Sequence, residues 1–255
     1  MSPEGVSAGR RSVYLLDVEG TVAPVSLVSE QLFPYARARL SAFLSEHAAE
    51  AAVQGDLALL AEENRGELDA NCPQMLGAPG SVPGTWDSTD PSQEAALAYL
   101  NWLMDHDRKS TALKSLQGKI WKAGFESGEL KGTLFADVPA ALARWSASAL
   151  VAIYSSGSVE AQRLLFRYST FGDLTPPIAA YFDTRTGPKT ASASYAAIAV
   201  EMNVEPGAVL FFSDVVRELD AAREAGCQTR LVMRPGNAPV DDANGHTVID
   251  SFDGV

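Results

Sequence analysis

Two acidic segments follow short apolar runs and could together hold a metal ion and a nucleophile. Asp17 and Glu19 follow the run at residues 13–16, and Asp214 follows the run at residues 209–212. Two carboxylates about 4 Å apart repel by about 4 kcal/mol at an effective dielectric constant of about 20, so Asp17 and Asp214 together need a cation. Oxygen ligands of this kind suit Mg²⁺. Asp17 could then attack phosphorus and form an aspartyl-phosphate, while Glu19 protonates the leaving oxygen and afterwards activates water.

A hydroxyl-rich turn and a lysine could bind the phosphate itself. Ser155, Ser156 and Gly157 precede a helical pattern, and the N–H groups of a helix N-terminus can hold phosphate oxygens. Lys189, in TRTGPKTAS, could neutralise both the phosphate and the nucleophile. Taken singly, each residue also has a structural explanation, because an aspartate after a strand usually forms a turn and a lone lysine or serine usually faces solvent. Their shared position after predicted strands favours one common site.

Short apolar runs bounded by turn residues predict the strands that position these side chains. The stronger predicted strands are Val13–Leu16, Leu150–Tyr154, Val209–Phe212 and Leu231–Met233, and the weaker ones are Ala180–Phe182 and Thr247–Ile249. Helical patterns alternate with strands from about residue 133 onward, which predicts an α/β fold: a doubly wound, Rossmann-like parallel sheet with helices on both faces. Ligands bind such sheets at the carboxyl ends of the strands, where the candidate residues lie.

The long segment after the first predicted strand has helical patterns and no convincing strand. Four helices are predicted there, the third with Asp90 as N-cap, Pro91 at its first position and Gln93 completing a capping box. Residues 66–89 are rich in proline and glycine and predict an irregular loop, to which we assign no role.

The predicted organisation is an α/β core interrupted by one inserted domain. Residues 1–24 and 132–255 are expected to form the core, and residues 25–131 a helical cap. A chain of 255 residues is long enough to bury a core of this size.

Charge and composition argue against several other classes of protein. A formal net charge of −12 argues against a nucleic-acid partner. No apolar run approaches the ~20 residues of a membrane span, and the N-terminal segment lacks a secretory apolar region, so we expect a cytoplasmic protein. Cys72 and Cys227 are interpreted as reduced thiols, and His47, His106 and His246 have no metal-binding spacing.

Four segments resemble the motifs of the haloacid dehalogenase superfamily, in the order that the superfamily uses. They are LLDVEGTV, IYSSGS, GPKTASASY and FFSDVVRE. Longer strings, among them DVEGTVAPVSLVSEQLFPYAR, DRKSTALKSLQGKIWKAGFESGELKG and VMRPGNA, are similar to the enolase-phosphatases, or acireductone synthases, of methionine salvage. The resemblance covers most of the chain and implies the haloacid dehalogenase type of core.

The resemblance implies a monomeric, Mg²⁺-dependent enzyme with one ion per subunit. Its substrate would be 2,3-diketo-5-methylthiopentyl-1-phosphate, which it would enolise and dephosphorylate to the acireductone 1,2-dihydroxy-3-keto-5-methylthiopentene. Asp17 would be nucleophile and metal ligand, Glu19 the acid/base and a metal ligand, and Asp214 the other metal carboxylate. The residues that would bind the substrate are Ser155, Ser156 and Lys189.

The helical cap is expected to decide the substrate. Gln117, Gly118 and Trp121, in LQGKIW, could close over the methylthio end and exclude water, although helix packing explains Trp121 equally well. Glu218, one helical turn beyond Asp214, is expected to support the metal ligands.

Two alternative functions fit part of the pattern. The same fold could act on another small phosphate ester, such as a sugar phosphate, because function depends on the site and not on the fold. A phospho-accepting signalling receiver also combines an aspartate, a hydroxyl and a lysine on a parallel sheet. Its phospho-acceptor would be expected on an internal strand, however, and it needs no cap.

Overall fold

One parallel sheet carries the candidate residues in the computed structural model, which describes residues 12–75 and 91–255. The strands within that part of the chain are β1 (Val13–Leu16), β2 (Leu150–Tyr154), β3 (Ala180–Phe182), β4 (Val209–Ser213), β5 (Gln228–Val232) and β6 (Thr247–Ile249). Their order across the sheet is β3-β2-β1-β4-β5-β6, and every neighbouring pair is parallel. The predicted fold class is therefore confirmed. The strand order reverses at β1, which places a crevice at the carboxyl ends of β1, β2 and β4.

The prediction for β5 was wrong in its boundaries. The apolar run Leu231–Met233 predicted a strand there, whereas β5 begins three residues earlier, at Gln228, and ends at Val232. Gln228 is paired with Leu210 of β4, so the ladder starts in a polar segment. An apolar run marks only the part of a strand that is buried on both faces, and it misses a polar end.

The helices are α1 (Phe33–His47), α2 (Ala51–Arg65), α3 (Pro91–Asp105), α4 (Thr111–Ser127), α5 (Val138–Ser146), α6 (Val159–Arg167), α7 (Ser192–Glu201) and α8 (Val216–Glu224). A π-helix (Leu27–Leu32) precedes α1. The chain divides into two compact units, residues 1–27 with 128–255 and residues 28–127. We name them the sheet unit and the helical unit. Their roles as catalytic core and substrate-selecting cap stay predictions.

Aromatic side chains cover both faces of the sheet. Because successive strand residues point to opposite faces, Phe211 packs against Tyr195 of α7, with ring centroids 5.0 Å apart. Phe212 packs against Trp145 of α5 at 5.4 Å and against Phe252 at 5.4 Å. Because these strands are buried on both faces, β1, β2 and β4 are continuous apolar runs in the amino-acid sequence.

The helical unit has its own core, and the start of α4 is fully capped. The Ser110 hydroxyl accepts from the Leu113 amide at 2.9 Å, and the Glu63 carboxylate accepts from the Thr111 and Ala112 amides at 3.0 and 3.4 Å.

None of the helices in the described ranges is long and apolar enough to cross a membrane.

The predicted start of α3 falls partly on residues that the structure does not describe. Asp90 lies outside the described residues, so the capping box stays a prediction. Gln93 Nε2 donates to Ser45 Oγ at 2.8 Å, within the helical unit. Residues 67–75 form turns and irregular backbone, as predicted for this loop, and residues 76–90 lie outside the described part.

Candidate active site

The two predicted aspartates lie at the carboxyl ends of β1 and β4. The Asp17 amide donates to Phe212 O at 2.9 Å, so Asp17 directly continues the β1 ladder. Its Oδ1 accepts from the Val18 amide at 2.7 Å. Asp214 lies against Gly20, where an added Cβ would overlap Asp214 Oδ2 and where φ is +72°. Glycine is therefore required at this position for both space and backbone conformation.

Lys189 bridges two carboxylates in a buried position. Its Nζ lies 2.5 Å from Asp17 Oδ1 and 2.6 Å from Glu218 Oε2, and only 9% of its side chain is exposed. Burial alone would lower the pKa of Lys189, but the charges of Asp17 and Glu218 outweigh it and raise the pKa above the usual value. The lysine is therefore an ammonium ion. Glu218, expected from the resemblance to support the metal ligands, contacts the lysine, and its role beside the metal stays a prediction.

Ser213, which was not among the predicted site residues, lies between the same carboxylates. Its Oγ is 3.0 Å from Glu218 Oε2 and 3.4 Å from Asp17 Oδ2, so the hydroxyl can donate to either one. It ends β4 and precedes Asp214, so the strand-end rule that selected Asp214 could have selected Ser213 as well.

Negative charge exceeds positive charge around Asp17. Burial raises the pKa of Asp214 to about 7, with a further contribution from the charge of Asp17. Burial and the charge of Asp17 likewise raise the pKa of Glu19. With Glu218, these acids lie around the ammonium group of Lys189.

The donor set fits Mg²⁺. The ion binds proteins through one or two carboxylates and keeps waters and substrate oxygens for its other positions, so Asp17 and Asp214 would suffice. Within the described residues, no group of three His, Cys, Asp or Glu side chains forms a metal cluster. The full set of Asp17, Glu19 and Asp214 as ligands therefore stays a prediction.

The predicted phosphate loop follows β2 but is not hydrogen-bonded to the lysine in the described part of the chain. Ser155 is buried, and its Oγ accepts from the Gly157 amide at 3.2 Å. Ser156 is exposed in the turn that leads to α6. Ser158 is the N-cap of α6, accepting from the Ala161 amide at 3.2 Å. The loop thus has the conformation of a capped helix N-terminus, which suits anions.

Asp183, at the carboxyl end of β3, was missed by the sequence analysis. Its carboxylate accepts from the Val159 amide of α6 at 3.4 Å and pairs with Arg185 at 2.9 Å. One N–H group at this helix N-terminus is therefore already used by an acid. The signal was present, because Asp183 follows the weak predicted strand Ala180–Phe182 directly.

The loop after the nucleophile is held by side chains from the motif VMRPGNA. Arg234 Nε donates to Thr21 O at 3.2 Å, and Asn237 Nδ2 donates to Gly20 O at 2.9 Å. Arg234 is buried and pairs with Asp137 at 2.9 Å. Only the tertiary structure shows that this distant motif supports the loop.

Comparison with known proteins decides between the families that share such a site. Residues 12–226 match the family model of the haloacid dehalogenase-like hydrolases. The chain is 53% identical over 243 residues to "Enolase-phosphatase E1" of Synechococcus elongatus, a match that covers 95% of this chain and 96% of that relative. The chain belongs to the enolase-phosphatase E1 family.

Two further similarities agree with this membership. The chain is 44% identical over 242 residues to "Enolase-phosphatase E1" of Leptospira borgpetersenii, which covers 94% of this chain and 96% of the relative. The solved structure of the UTR4 protein of Saccharomyces cerevisiae is 35% identical, has a TM-score of 0.75, and is matched over 96% of this chain and all of the other. The resemblance stated from the sequence is confirmed, and the protein is an enzyme of the phosphatase class. Haloacid dehalogenase-like hydrolases generally use Mg²⁺.

In this member of the E1 family, the helical unit contains a pocket of about 480 Å³. Gln117 lines the pocket and is 5% exposed, and its side chain makes no hydrogen bond within the described residues. Trp121 instead donates its indole N–H to Leu32 O at 2.8 Å and lies beside the Phe33 ring. Trp121 therefore makes a hydrogen bond within the helical unit, and a role of Gln117 or Trp121 in ligand recognition stays a prediction. The other lining residues include Phe33, Arg37, Leu103, Met104, Lys109, Leu113 and Lys114.

Proposed function

We propose that the protein converts 2,3-diketo-5-methylthiopentyl-1-phosphate into the acireductone 1,2-dihydroxy-3-keto-5-methylthiopentene and phosphate, in methionine salvage. The observation that carries the proposal is the buried contact between Asp17 and Lys189, 2.5 Å apart at a sheet switch point. The 53% identity to an enolase-phosphatase E1 supports the substrate. We further propose a cytoplasmic monomer.

The nucleophile is one particular oxygen of Asp17. Oδ1 accepts from the Val18 amide at 2.7 Å and contacts Lys189 at 2.5 Å, whereas Oδ2 accepts a longer hydrogen bond, of 3.4 Å, from the Ser213 hydroxyl. Oδ2 is therefore the freer oxygen to attack phosphorus. Lys189 contacts Asp17 and, with Ser155 and Ser156, binds the phosphate oxygens.

Glu19 handles the protons of phosphate transfer. As the bond between phosphorus and the ester oxygen breaks, the Glu19 carboxyl group gives its proton to that oxygen. The Glu19 carboxylate then takes a proton from the water that attacks phosphorus, which frees Asp17 and releases phosphate. The raised pKa of Glu19 favours the protonated form that the first step needs. Glu19 is also the candidate base for enolisation.

One Mg²⁺ ion, held by Asp17 and Asp214 with Glu19 as the third proposed ligand, would supply positive charge against the phosphate oxygens. Gly20 and the Arg234 and Asn237 contacts hold this end of the loop in place.

The test is phosphate release from the proposed substrate under anaerobic conditions, with and without Mg²⁺, while the enediol absorbance is followed. Asp17→Asn should lower release by about 10³-fold or more, because the nucleophile is lost. Asp173→Asn is the control, since Asp173 is exposed and its carboxylate accepts from Thr175 in its own turn. Release from other phosphate esters alone would reassign the substrate, and stable retention of phosphate without turnover would favour a receiver.

A further inference from the structure

The segment that carries Lys189 has no regular secondary structure, yet its side chain is held closely. Residues 183–191 form turns between β3 and α7. Lys189 Nζ nevertheless contacts Asp17 and Glu218 at 2.5 and 2.6 Å. A flexible lysine on a turn would lose entropy in this position, so the backbone must be held by something other than a strand or helix.

Buried hydroxyl groups donate to the consecutive carbonyls of this turn. Each donor lies in or next to a regular element, the first at the end of β2 and the others in the first turn of α7. The hydrogen bonds are Tyr154 Oη to Gly187 O at 2.8 Å, Ser194 Oγ to Pro188 O at 2.8 Å, and Tyr195 Oη to Lys189 O at 2.6 Å.

The donors are themselves fixed by packing. Tyr154 and Tyr195 are fully buried, and their rings meet edge to face with centroids 5.6 Å apart. Burial raises the pKa of each tyrosine, so both phenols stay protonated and remain donors.

Two further close contacts hold this turn, one at Gly187 and one at the Lys189 side chain. A Cβ at Gly187 would overlap Ser194 Oγ, and Gly187 has φ +145°, so the turn lies directly on the start of α7. The Tyr154 ring centroid is 5.9 Å from Lys189 Nζ, within the range of a cation–π interaction.

We propose that Tyr154, Ser194 and Tyr195 form a hydroxyl clamp that positions Lys189 between Asp17 and the substrate phosphate. All three are positioning residues that act through Lys189. The inference rests on the proposed phosphate-binding role of Lys189.

The kinetic test compares Tyr195→Phe, Tyr154→Phe and Ser194→Ala with Tyr181→Phe. Tyr181 is the matched control, because its buried hydroxyl has no hydrogen-bond partner among the residues that the structure describes. Each clamp variant should lower kcat/KM about 10-fold and the Tyr154→Phe/Tyr195→Phe double variant about 100-fold, since a misplacement of about 1 Å can cost 10²-fold. The loss should fall mainly on kcat, because the loop at Ser155 still binds the ground state. Tyr181→Phe should stay within about twofold of the wild type.

A second readout does not depend on turnover. Lysine acetylation by acetic anhydride, quantified by mass spectrometry, should be slow at Lys189 in the wild type and at least about fivefold faster in the clamp variants. Lys119, paired with Asp56 at 2.6 Å in the helical unit, should react at an unchanged rate. This comparison separates local release of Lys189 from general unfolding.

The two readouts distinguish the clamp from the proposed function. If the wild type releases phosphate from no ester, the proposed function fails, while the acetylation rates still test the clamp. The clamp is overturned if Tyr195→Phe matches Tyr181→Phe in both readouts, or if Lys119 becomes reactive together with Lys189.

Discussion

Lys189 of the sheet unit and the two lysines beside the pocket of the helical unit differ in burial and in pairing. Lys189 of the sheet unit is 9% exposed in its side chain and contacts two carboxylates. Lys109 and Lys114, beside the pocket of the helical unit, are exposed and have no ion pair among the described residues. A buried and paired charge is placed before the ligand arrives, which is what chemistry requires. An exposed charge suits recognition, because it can adapt to an anion.

Two buried glutamines, Gln162 and Gln117, differ in a similar way. Gln162, on α6 of the sheet unit, donates to Gly157 O at 2.8 Å and Phe182 O at 2.9 Å. Gln117, on α4 of the helical unit, is almost as buried but has no partner in the described part of the chain. Gln162 therefore serves the fold near the phosphate loop, and Gln117 has its hydrogen-bonding capacity left for a ligand.

The largest predicted effect separates the two kinds of lysine. Lys189→Met should destabilise the protein by about 3–5 kcal/mol, because it leaves Asp17 and Glu218 buried without a counter-charge, and should lower phosphate release by at least about 100-fold. Lys114→Met should change the free energy of unfolding by less than about 0.5 kcal/mol. Urea unfolding of both variants measures the difference. Equal destabilisation would show that burial and pairing do not distinguish Lys189 from Lys114.

The glutamines provide the next comparison. Gln162→Leu should cost about 1–3 kcal/mol, since the part-buried Gly157 carbonyl loses this donor and the Phe182 carbonyl loses one of its two donors, whereas Gln117→Leu should be nearly neutral in stability. If the pocket recognises the substrate, Gln117→Leu should instead lower kcat/KM for the diketone about tenfold relative to p-nitrophenyl phosphate. Denaturant unfolding and a two-substrate assay check this. A Gln117→Leu variant that is destabilised without a change in selectivity would make Gln117 a structural residue.

The smallest predicted effect concerns pH and the Asp137–Arg234 pair. Burial tends to raise the pKa of Asp137, but the Phe252 amide and Arg234 outweigh it, so the pKa lies below its usual value. A carboxyl group whose pKa is lower in the folded state stabilises the fold at pH values above its unfolded pKa of about 3.9. This stabilisation is lost as the pH falls through the folded pKa. Asp137→Asn should therefore lose about 1–2 kcal/mol at neutral pH and progressively less below about pH 4.

A surface pair of the helical unit is the control for this experiment. Asp105 and Arg37 are 2.6 Å apart and about half exposed, so salt should screen their interaction. Unfolding of Asp105→Asn at high salt should match the wild type across the pH range, while the effect of Asp137→Asn should persist. If the difference in free energy of unfolding between Asp137→Asn and the wild type stayed constant down to pH 3, the lowered pKa of Asp137 would be contradicted.

Local sequence rules predicted strand ends well and hydroxyl contacts poorly. Asp17 and Asp214 were found because an acid directly after an apolar run is visible in a few residues of sequence. Tyr154 lies 33 residues from Gly187, whose carbonyl it binds, and looks like one more apolar residue of β2. No short-range pattern distinguishes a tyrosine that packs from one that also donates a hydrogen bond.

The sequence by itself determined the parallel α/β fold, the helical insertion and the family, because apolar periodicity and extended motifs are properties of contiguous residues. Only the tertiary structure decided that Lys189 contacts Asp17 and Glu218, and that Gln117 lines a pocket of the helical unit. Hydrogen bonds and ion pairs act over about 3 Å in space. Which distant residues come that close depends on strand order and helix packing, and therefore on the folded chain.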